Sequence, residues 1–172
     1  MISICIPLYN TDVRPLVTSL EKQISKLRPA GELIIIDDAS DESFKRINRN
    51  ICERHNYIEL SENVGRARIR NLFLDHARFD HLVFLDCDSL ILSDDFLSRY
   101  GREVQQIFAP EVVVGGRLYG SRKPAPIYRL RWKYGVKRIG KTAEIRNMVP
   151  YNSFLPSSAK VFILQFILRP SS

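Results

Sequence analysis

The sequence contains few cysteines and no apolar run long enough to cross a membrane. Cys5, Cys52 and Cys87 are widely spaced and form no Cys-x-x-Cys pair. We expect free thiols rather than disulfides, with Cys5 and Cys87 buried in apolar strands, as is typical of a reducing compartment. No continuous apolar stretch approaches the roughly 20 residues of a membrane-spanning helix, so the sequence predicts no such helix.

The first residues also lack the features of a secretory signal. Residues 1–7 contain no basic residue ahead of the apolar stretch and no small-residue cleavage site. We therefore expect this segment to form a buried strand and the protein to lie in the cytoplasm.

Charge is distributed unevenly along the chain. The composition, with 45% hydrophobic residues in 172, is that of one globular domain. Residues 117–146 hold ten of the 26 Lys and Arg and one acid, Glu144. This segment therefore has a net charge of +9, whereas the whole chain has a net charge of +7. It predicts contact with phosphates, nucleic acid or an anionic membrane surface, including a peripheral position at the inner face of the membrane. A solvated cationic flank is the alternative. No recognised nucleic-acid motif accompanies it, which makes nucleic acid the least favoured partner.

Apolar segments of strand and helix character alternate along the first 120 residues. Strands are predicted at 2–7, 32–36, 57–60, 82–85 and 112–114. Helices are predicted at 16–27, 43–54, 66–78 and 94–107, the first of them capped by Thr11 or Asp12. This alternation predicts an α/β fold with a mostly parallel sheet, and strands that are apolar throughout predict helices on both faces. After Gly116 we expect loop and short helix.

Three strands end in polar side chains. Pro7-Leu8-Tyr9-Asn10 follows the first strand, Asp37-Asp38 the second and Asp86-Cys87-Asp88 the fourth. Parallel strands bring their carboxyl ends to one edge of the sheet, where α/β proteins bind ligands. Carboxylate oxygens suit Mg²⁺ or Mn²⁺, which take further ligands from water and substrate phosphates. The pattern predicts a protein that handles a phosphorylated substrate through a divalent ion.

In order and spacing, these segments resemble the family 2 glycosyltransferases. The matching stretches are 4–10, 35–40, 63–65 with 70–71, and 84–88, within residues 1–120. The resemblance implies the Rossmann-like GT-A fold of nucleotide-diphospho-sugar transferases. Residues 1–120 would be the donor-binding half, and 121–172 a basic, partial acceptor-side segment.

The resemblance also implies a set of site residues. Tyr9 would frame the nucleotide base, Asp38 would accept a hydrogen bond from the uracil N–H, and Arg70 would donate to ribose or phosphate unless it forms a surface ion pair. Asp86 would hold the ribose and contribute to the metal site, and Asp88 would contact the metal, Mn²⁺ or Mg²⁺. The implied nucleotide-sugar-binding residues are Pro7, Tyr9, Asn10, Asp37, Asp38, Asn63, Gly65, Arg70 and Asp86.

The implied reaction is inverting transfer of a sugar from a nucleoside diphosphate, with a UDP-sugar favoured, to a hydroxyl acceptor. A lipid-linked glycan and a role in cell-surface polysaccharide synthesis fit this chemistry. The family draws its general base from a late acidic motif, whereas here the acids after Asp95 are Glu103, Glu111 and Glu144. We therefore leave the catalytic base unassigned and expect a C-terminal truncation. Residues 161–168 would form a buried strand or a hydrophobic patch that promotes association between copies.

Two other functions remain open at this point. A sugar nucleotidyltransferase would carry a Gly-rich loop near the first strand, and residues 7–15 contain no glycine. A catalytically incomplete nucleotide-binding or membrane-associated module would account for the missing base and the basic segment.

Overall fold

The computed structural model describes residues 1–28, 30–91, 93–104, 112–114, 126, 129–134, 144–146 and 161–165. The strands in these ranges are β1 (Ile2–Leu8), β2 (Gly31–Asp37), β3 (Asn56–Glu59), β4 (His81–Leu85), β5 (Val112–Val114), β6 (Glu144–Arg146) and β7 (Val161–Gln165). The helices are α1 (Arg14–Ile24), α2 (Glu42–Cys52), α3 (Gly65–His76), α4 (Phe96–Val104) and α5 (Arg129–Tyr134). Within these ranges no helix has the length and apolar character needed to span a bilayer.

The strands form one sheet in the order β3-β2-β1-β4-β7-β5-β6. All neighbours are parallel except β5 and β6, which confirms the mostly parallel α/β fold. β1 pairs with β2 as far as Leu8 but with β4 only as far as Cys5. Pro7, which has no N–H to donate, therefore lies where one side of β1 is unpaired. The carboxyl ends of β1, β2 and β4 meet at one edge.

Two cores cover the two faces of the sheet. The larger one contains α1, α4 and the side chains of β1, for example Ile4, Leu20 and Leu97. The other contains α3, whose Ile69 and Phe73 lie one turn apart on its buried face. The Phe73 ring meets Phe84 of β4 edge to face at 5.5 Å between centroids. This packing fixes α3 across β1 and β2, with its first residues above the carboxyl edge.

The start of α1 differs from the sequence prediction. Val13 is the N-cap residue, and neither Thr11 nor Asp12 is. The buried amide of Asn48, on α2, accepts from Val13 N (3.1 Å) and donates to the Thr11 carbonyl (2.8 Å). Asp12 still acts locally, since its Oδ1 accepts from Arg14 N (3.1 Å), and Asn48 adds bonds to the backbone on either side of Asp12 from another helix.

The second part of the chain contributes to the same sheet. β7 lies between β4 and β5, pairing with both, which confirms the predicted strand after residue 160. β6 was not predicted, because Glu144-Ile145-Arg146 lacks the run of β-branched residues that marks β5 in the sequence. The division of the chain at residue 120 stays a prediction.

Candidate functional site

A cleft of about 690 Å³ opens at the carboxyl edge of the sheet, beside the start of α3. Its volume lies within the range of small-ligand sites, roughly 300–1,000 Å³. Eight of the ten predicted site residues line it: Pro7, Tyr9, Asp38, Asn63, Gly65, Arg70, Asp86 and Asp88. Tyr9 is half exposed there. Asn10 and Asp37 do not line the cleft.

The Asp38 carboxylate joins β2 to the start of α3. Its Oδ1 accepts from Val64 N (2.7 Å) and its Oδ2 from Gly65 N (3.1 Å). These are the unpaired amides of a helix N-terminus, where a carboxylate also complements the helix dipole. Asp38 is 5% exposed and still borders the cleft. Since two of its roughly four acceptor positions are used, it retains capacity for a donor from a ligand.

Asp37, which was predicted as a binding residue, lies on the other side of the sheet from Asp38 and does not line the cleft. It is fully buried. Its Oδ1 accepts from Ser40 N (2.7 Å) and its Oδ2 from the Tyr57 hydroxyl (3.2 Å). Burial raises the pKa of Tyr57, and the adjacent Asp37 charge adds to the effect. Asp37 therefore shapes the turn after β2, and of the two carboxylates only Asp38 borders the cleft.

Asn10 is likewise structural. Its backbone is left-handed, with φ of 43°, a conformation that Asn tolerates better than most residues. Its side chain exchanges hydrogen bonds with Asp41, from Nδ2 to Asp41 Oδ2 (3.1 Å) and from Asp41 N to Oδ1 (2.7 Å). Asn10 N also donates to Ser40 Oγ (2.9 Å). These bonds tie the loop after β1 to the loop after β2, and Tyr9 precedes them in the chain.

The turn that opens α3 depends on Gly65. Its φ is 81°, which side chains other than Gly rarely adopt. A Cβ placed there would meet nothing within 4 Å, so the requirement comes from the backbone conformation alone. The Asn63 amide donates to the Asp38 carbonyl (3.1 Å) and holds the same turn against β2.

Arg70 and Asp86 form an ion pair at the wall of the cleft. Arg70 Nη2 lies 3.2 Å from Asp86 Oδ1, and each side chain is about one quarter exposed, 25% and 24%. Burial lowers the pKa of Arg70; the Asp86 charge opposes this and the Arg66 charge adds to it. Arg70 Nε is buried and has no partner among the described residues. The pair orients Asp86 and leaves one guanidinium donor unused.

Asp88 is an exposed carboxylate at the cleft. It is exposed in the turn after β4 and lines the cleft, and no hydrogen bond or ion pair engages it within the described part of the chain. That part holds no group of three or more His, Cys, Asp or Glu side chains placed to bind a metal. Two carboxylates of one turn fit Mg²⁺ or Mn²⁺ that completes its shell with water and substrate phosphate. They do not fit a closed metal cage.

Sequence reasoning missed several residues of the cleft: Leu8, Thr11, Arg66, Ile69 and Cys87. Cys87 was predicted to be buried in a strand, but it follows β4 and is partly exposed. Burial still raises the pKa of its thiol above the ordinary 9.0, against the effect of hydrogen bonds from Thr11 and Tyr9. A usable signal existed for Arg66, which precedes Arg70 by one helical turn.

Some predicted features lie outside the described residues. This holds for most of the basic segment 117–146, for Glu111, and for the side chains of Glu103 and Glu144. The catalytic base therefore stays unassigned.

Comparison with known proteins finds a matching family and a related sequence. The sequence model described as "Glycosyl transferase family 2" matches residues 3–169. An uncharacterised glycosyltransferase from Haemophilus influenzae is 32% identical over 100 residues, which cover 55% of this chain and 38% of the relative.

Solved structures share the fold. A mannosyltransferase from Pyrobaculum calidifontis, in complex with GDP-Man and Mn²⁺, matches with a TM-score of 0.55 and 24% identity. It aligns over 67% of this chain and 34% of its own. Residues 1–349 of TarS from S. aureus, in complex with UDP-GlcNAc, match with a TM-score of 0.57 and 22% identity, over 74% of this chain and 38% of its own. The chain thus spans little more than a third of these relatives.

Proposed function

The chain belongs to glycosyl transferase family 2, and from this premise we propose that it transfers a sugar from a nucleoside-diphosphate sugar to a hydroxyl acceptor. The main support for the proposal is that Tyr9, Asp38 and Asp88 line the same cleft. These residues come from the ends of three different strands. One ligand that extends across the cleft would contact an aromatic ring, a hydrogen-bond acceptor and a metal-binding carboxylate.

The base would bind at the Asp38 end of the cleft. The exposed Tyr9 ring offers a stacking surface, and Asp38 offers an acceptor to a base N–H. Uracil presents one N–H flanked by two carbonyls, so an acceptor-only carboxylate suits it. The structures of relatives hold UDP-GlcNAc in one case and GDP-Man in another. Guanine also presents N–H donors, so we favour a UDP-sugar because of the family resemblance and not because of Asp38 alone.

Ribose and diphosphate would bind toward β4. Asp86, held by Arg70, presents a fixed acceptor for the ribose hydroxyls. Asp88 would hold Mn²⁺ or Mg²⁺ together with the donor phosphates, in keeping with the Mn²⁺ of the Pyrobaculum structure. When bound, the ion would offset the charge that develops on the departing diphosphate. Inversion would require a base on the acceptor side of the sugar, and a lipid-linked glycan acceptor would place this chain in cell-surface polysaccharide synthesis.

The proposal is tested by thermal stability in a panel of UDP- and GDP-sugars with and without Mn²⁺. A ligand at 100 times its Kd should add about 2.7 kcal/mol to the free energy of unfolding, or about 5–10 °C for a chain of this size. Asp88→Ala should remove the Mn²⁺-dependent part of this shift. Asp75→Ala, on the exposed side of α3, is the matched control and should behave as wild type.

Two results would contradict the proposal. The first is the absence of a shift with every nucleotide sugar. The second is equal nucleotide affinity with and without Mn²⁺ in calorimetry, which would remove the metal from the mechanism.

A further inference from the structure

Arg66 is a cationic side chain of the cleft that neither the sequence motifs nor the fold accounts for. It lies in the first turn of α3, is exposed and lines the cleft. No hydrogen bond or ion pair engages it within the described residues. The arginines of α1, α2 and α4 do not line this cavity, whereas Arg66 borders it together with Asp86 and Asp88.

Arg66 places a second guanidinium beside Arg70 in the cleft. The two residues lie one helical turn apart on the same face of α3, close enough that the Arg66 charge contributes to lowering the pKa of Arg70. Asp86 pairs with Arg70 through one nitrogen, and Arg70 Nε is buried without a partner among the described residues. Both Asp38 oxygens accept from backbone amides instead. No acid of the described residues pairs with Arg66.

We propose that Arg66 binds the phosphates of the nucleotide donor, from the side of the cleft opposite Asp88. This inference rests on the proposed function and extends it. Two neighbouring guanidiniums repel each other in the free protein, and a phosphate placed between them relieves that repulsion while accepting charge-assisted hydrogen bonds. The diphosphate would then be held by Arg66 on one side and by the ion at Asp88 on the other. Donor affinity would therefore have a component that does not depend on the metal.

The test is calorimetric titration of the 172-residue chain with uridine, UMP and UDP in the presence of Mn²⁺. Arg66→Ala is compared with Arg68→Ala, which removes the same charge from an exposed position of α3 outside the cleft. We expect Arg66→Ala to weaken UDP binding about tenfold or more, the usual worth of one hydrogen bond to a charged group, and to change uridine binding by less than about twofold. Arg66→Lys should recover part of the loss. Equal melting temperatures of the two Ala variants would show that the chain stays folded.

The outcomes separate this inference from the proposed function. UDP binding that is equal in Arg66→Ala, Arg68→Ala and wild type would overturn the role of Arg66 and leave the proposed function intact. An equal loss for uridine and UDP would also overturn it, because Arg66 would then contact base or ribose. Wild-type protein that binds no UDP would remove the proposed function and this inference with it.

Discussion

Replacing Asp38 by Asn separates the two roles that one carboxylate has in this fold. The substitution preserves shape, but it exchanges one carboxylate oxygen for an NH₂ group. At present one oxygen accepts from Val64 N at 2.7 Å and the other from Gly65 N at 3.1 Å. An amide can accept only one of these bonds, so in either orientation a backbone N–H faces an N–H donor.

The expected cost follows from burial. Asp38 is 5% exposed, so water cannot readily replace the lost acceptor, and an unsatisfied buried donor costs about 1–3 kcal/mol. Loss of the negative charge at the N-terminus of α3 adds about 0.3–1 kcal/mol. Together these predict a free energy of unfolding lower by about 3 kcal/mol, or a Tm lower by about 6–12 °C.

Thermal melting with and without UDP and Mn²⁺ would measure both roles. The control is Asp75→Asn, the same change on the exposed face of α3, which should alter the Tm by less than about 1 °C because exposed substitutions are usually neutral. Asp38→Asn should also lose most of the nucleotide-induced shift. A variant that melts with wild type would refute the role of Asp38 in holding the start of α3, and a full nucleotide shift in it would refute base recognition.

Two further predictions concern other groups. Glu32→Gln should destabilise the protein by about 1–3 kcal/mol at pH 7, because Glu32 is buried and accepts from Ser3 Oγ (2.6 Å) and from Arg78 Nε (2.8 Å). Burial opposes the ionisation of Glu32, but these hydrogen bonds outweigh burial and lower its pKa below 4.5. In urea unfolding, the wild type should therefore be more stable than Glu32→Gln by the full amount above pH 4.5, and this difference should disappear as the pH falls through the folded pKa. A difference in stability that does not change with pH would contradict this. Cys87 should react with iodoacetamide before the buried Cys5 and Cys52, slowly at pH 7 and faster above pH 9 because its pKa is raised; peptide mapping that finds Cys5 labelled first would contradict the packing around β4.

The parallel sheet and the position of its cleft were predictable because both follow from local patterns. Strands apolar on both faces require helices on both sides, and parallel strands then deliver their last residues to one edge. The different positions of Asp37 and Asp38 do not follow from this pattern alone, although the resemblance implied Asp38 as the acceptor for the base. Leu33 and Ile35 face the α1 side of the sheet, and Ile34 and Ile36 face α3. By alternation Asp37 belongs to the first side and Asp38 to the second, but the sequence alone does not show which side holds the cleft.

Contacts between distant residues account for most of the remaining differences. Asn48 holds the backbone that leads into α1 from 35 residues away. Gln23, buried on α1, accepts from Leu97 N and donates to the Ser93 carbonyl, both at 3.0 Å, and so fixes the chain after Asp88. Neither amide stands out in a local pattern, since each would read as an ordinary polar position on a helix. Their function exists only once two elements have packed.

The two carboxylates of Asp86-Cys87-Asp88 illustrate how a distant residue divides the roles within a short motif. As sequence letters they are equivalent, and each offers the same oxygens to a cation. In the fold, Arg70 lies against Asp86 from 16 positions earlier in the chain, and its charge reduces the attraction of Asp86 for a second cation. Asp88 is exposed and has no ion pair among the described residues. Under the proposed function, a bound metal would therefore depend chiefly on Asp88 and Asp86 would accept hydrogen bonds, and this distinction would originate on α3 rather than in the motif itself.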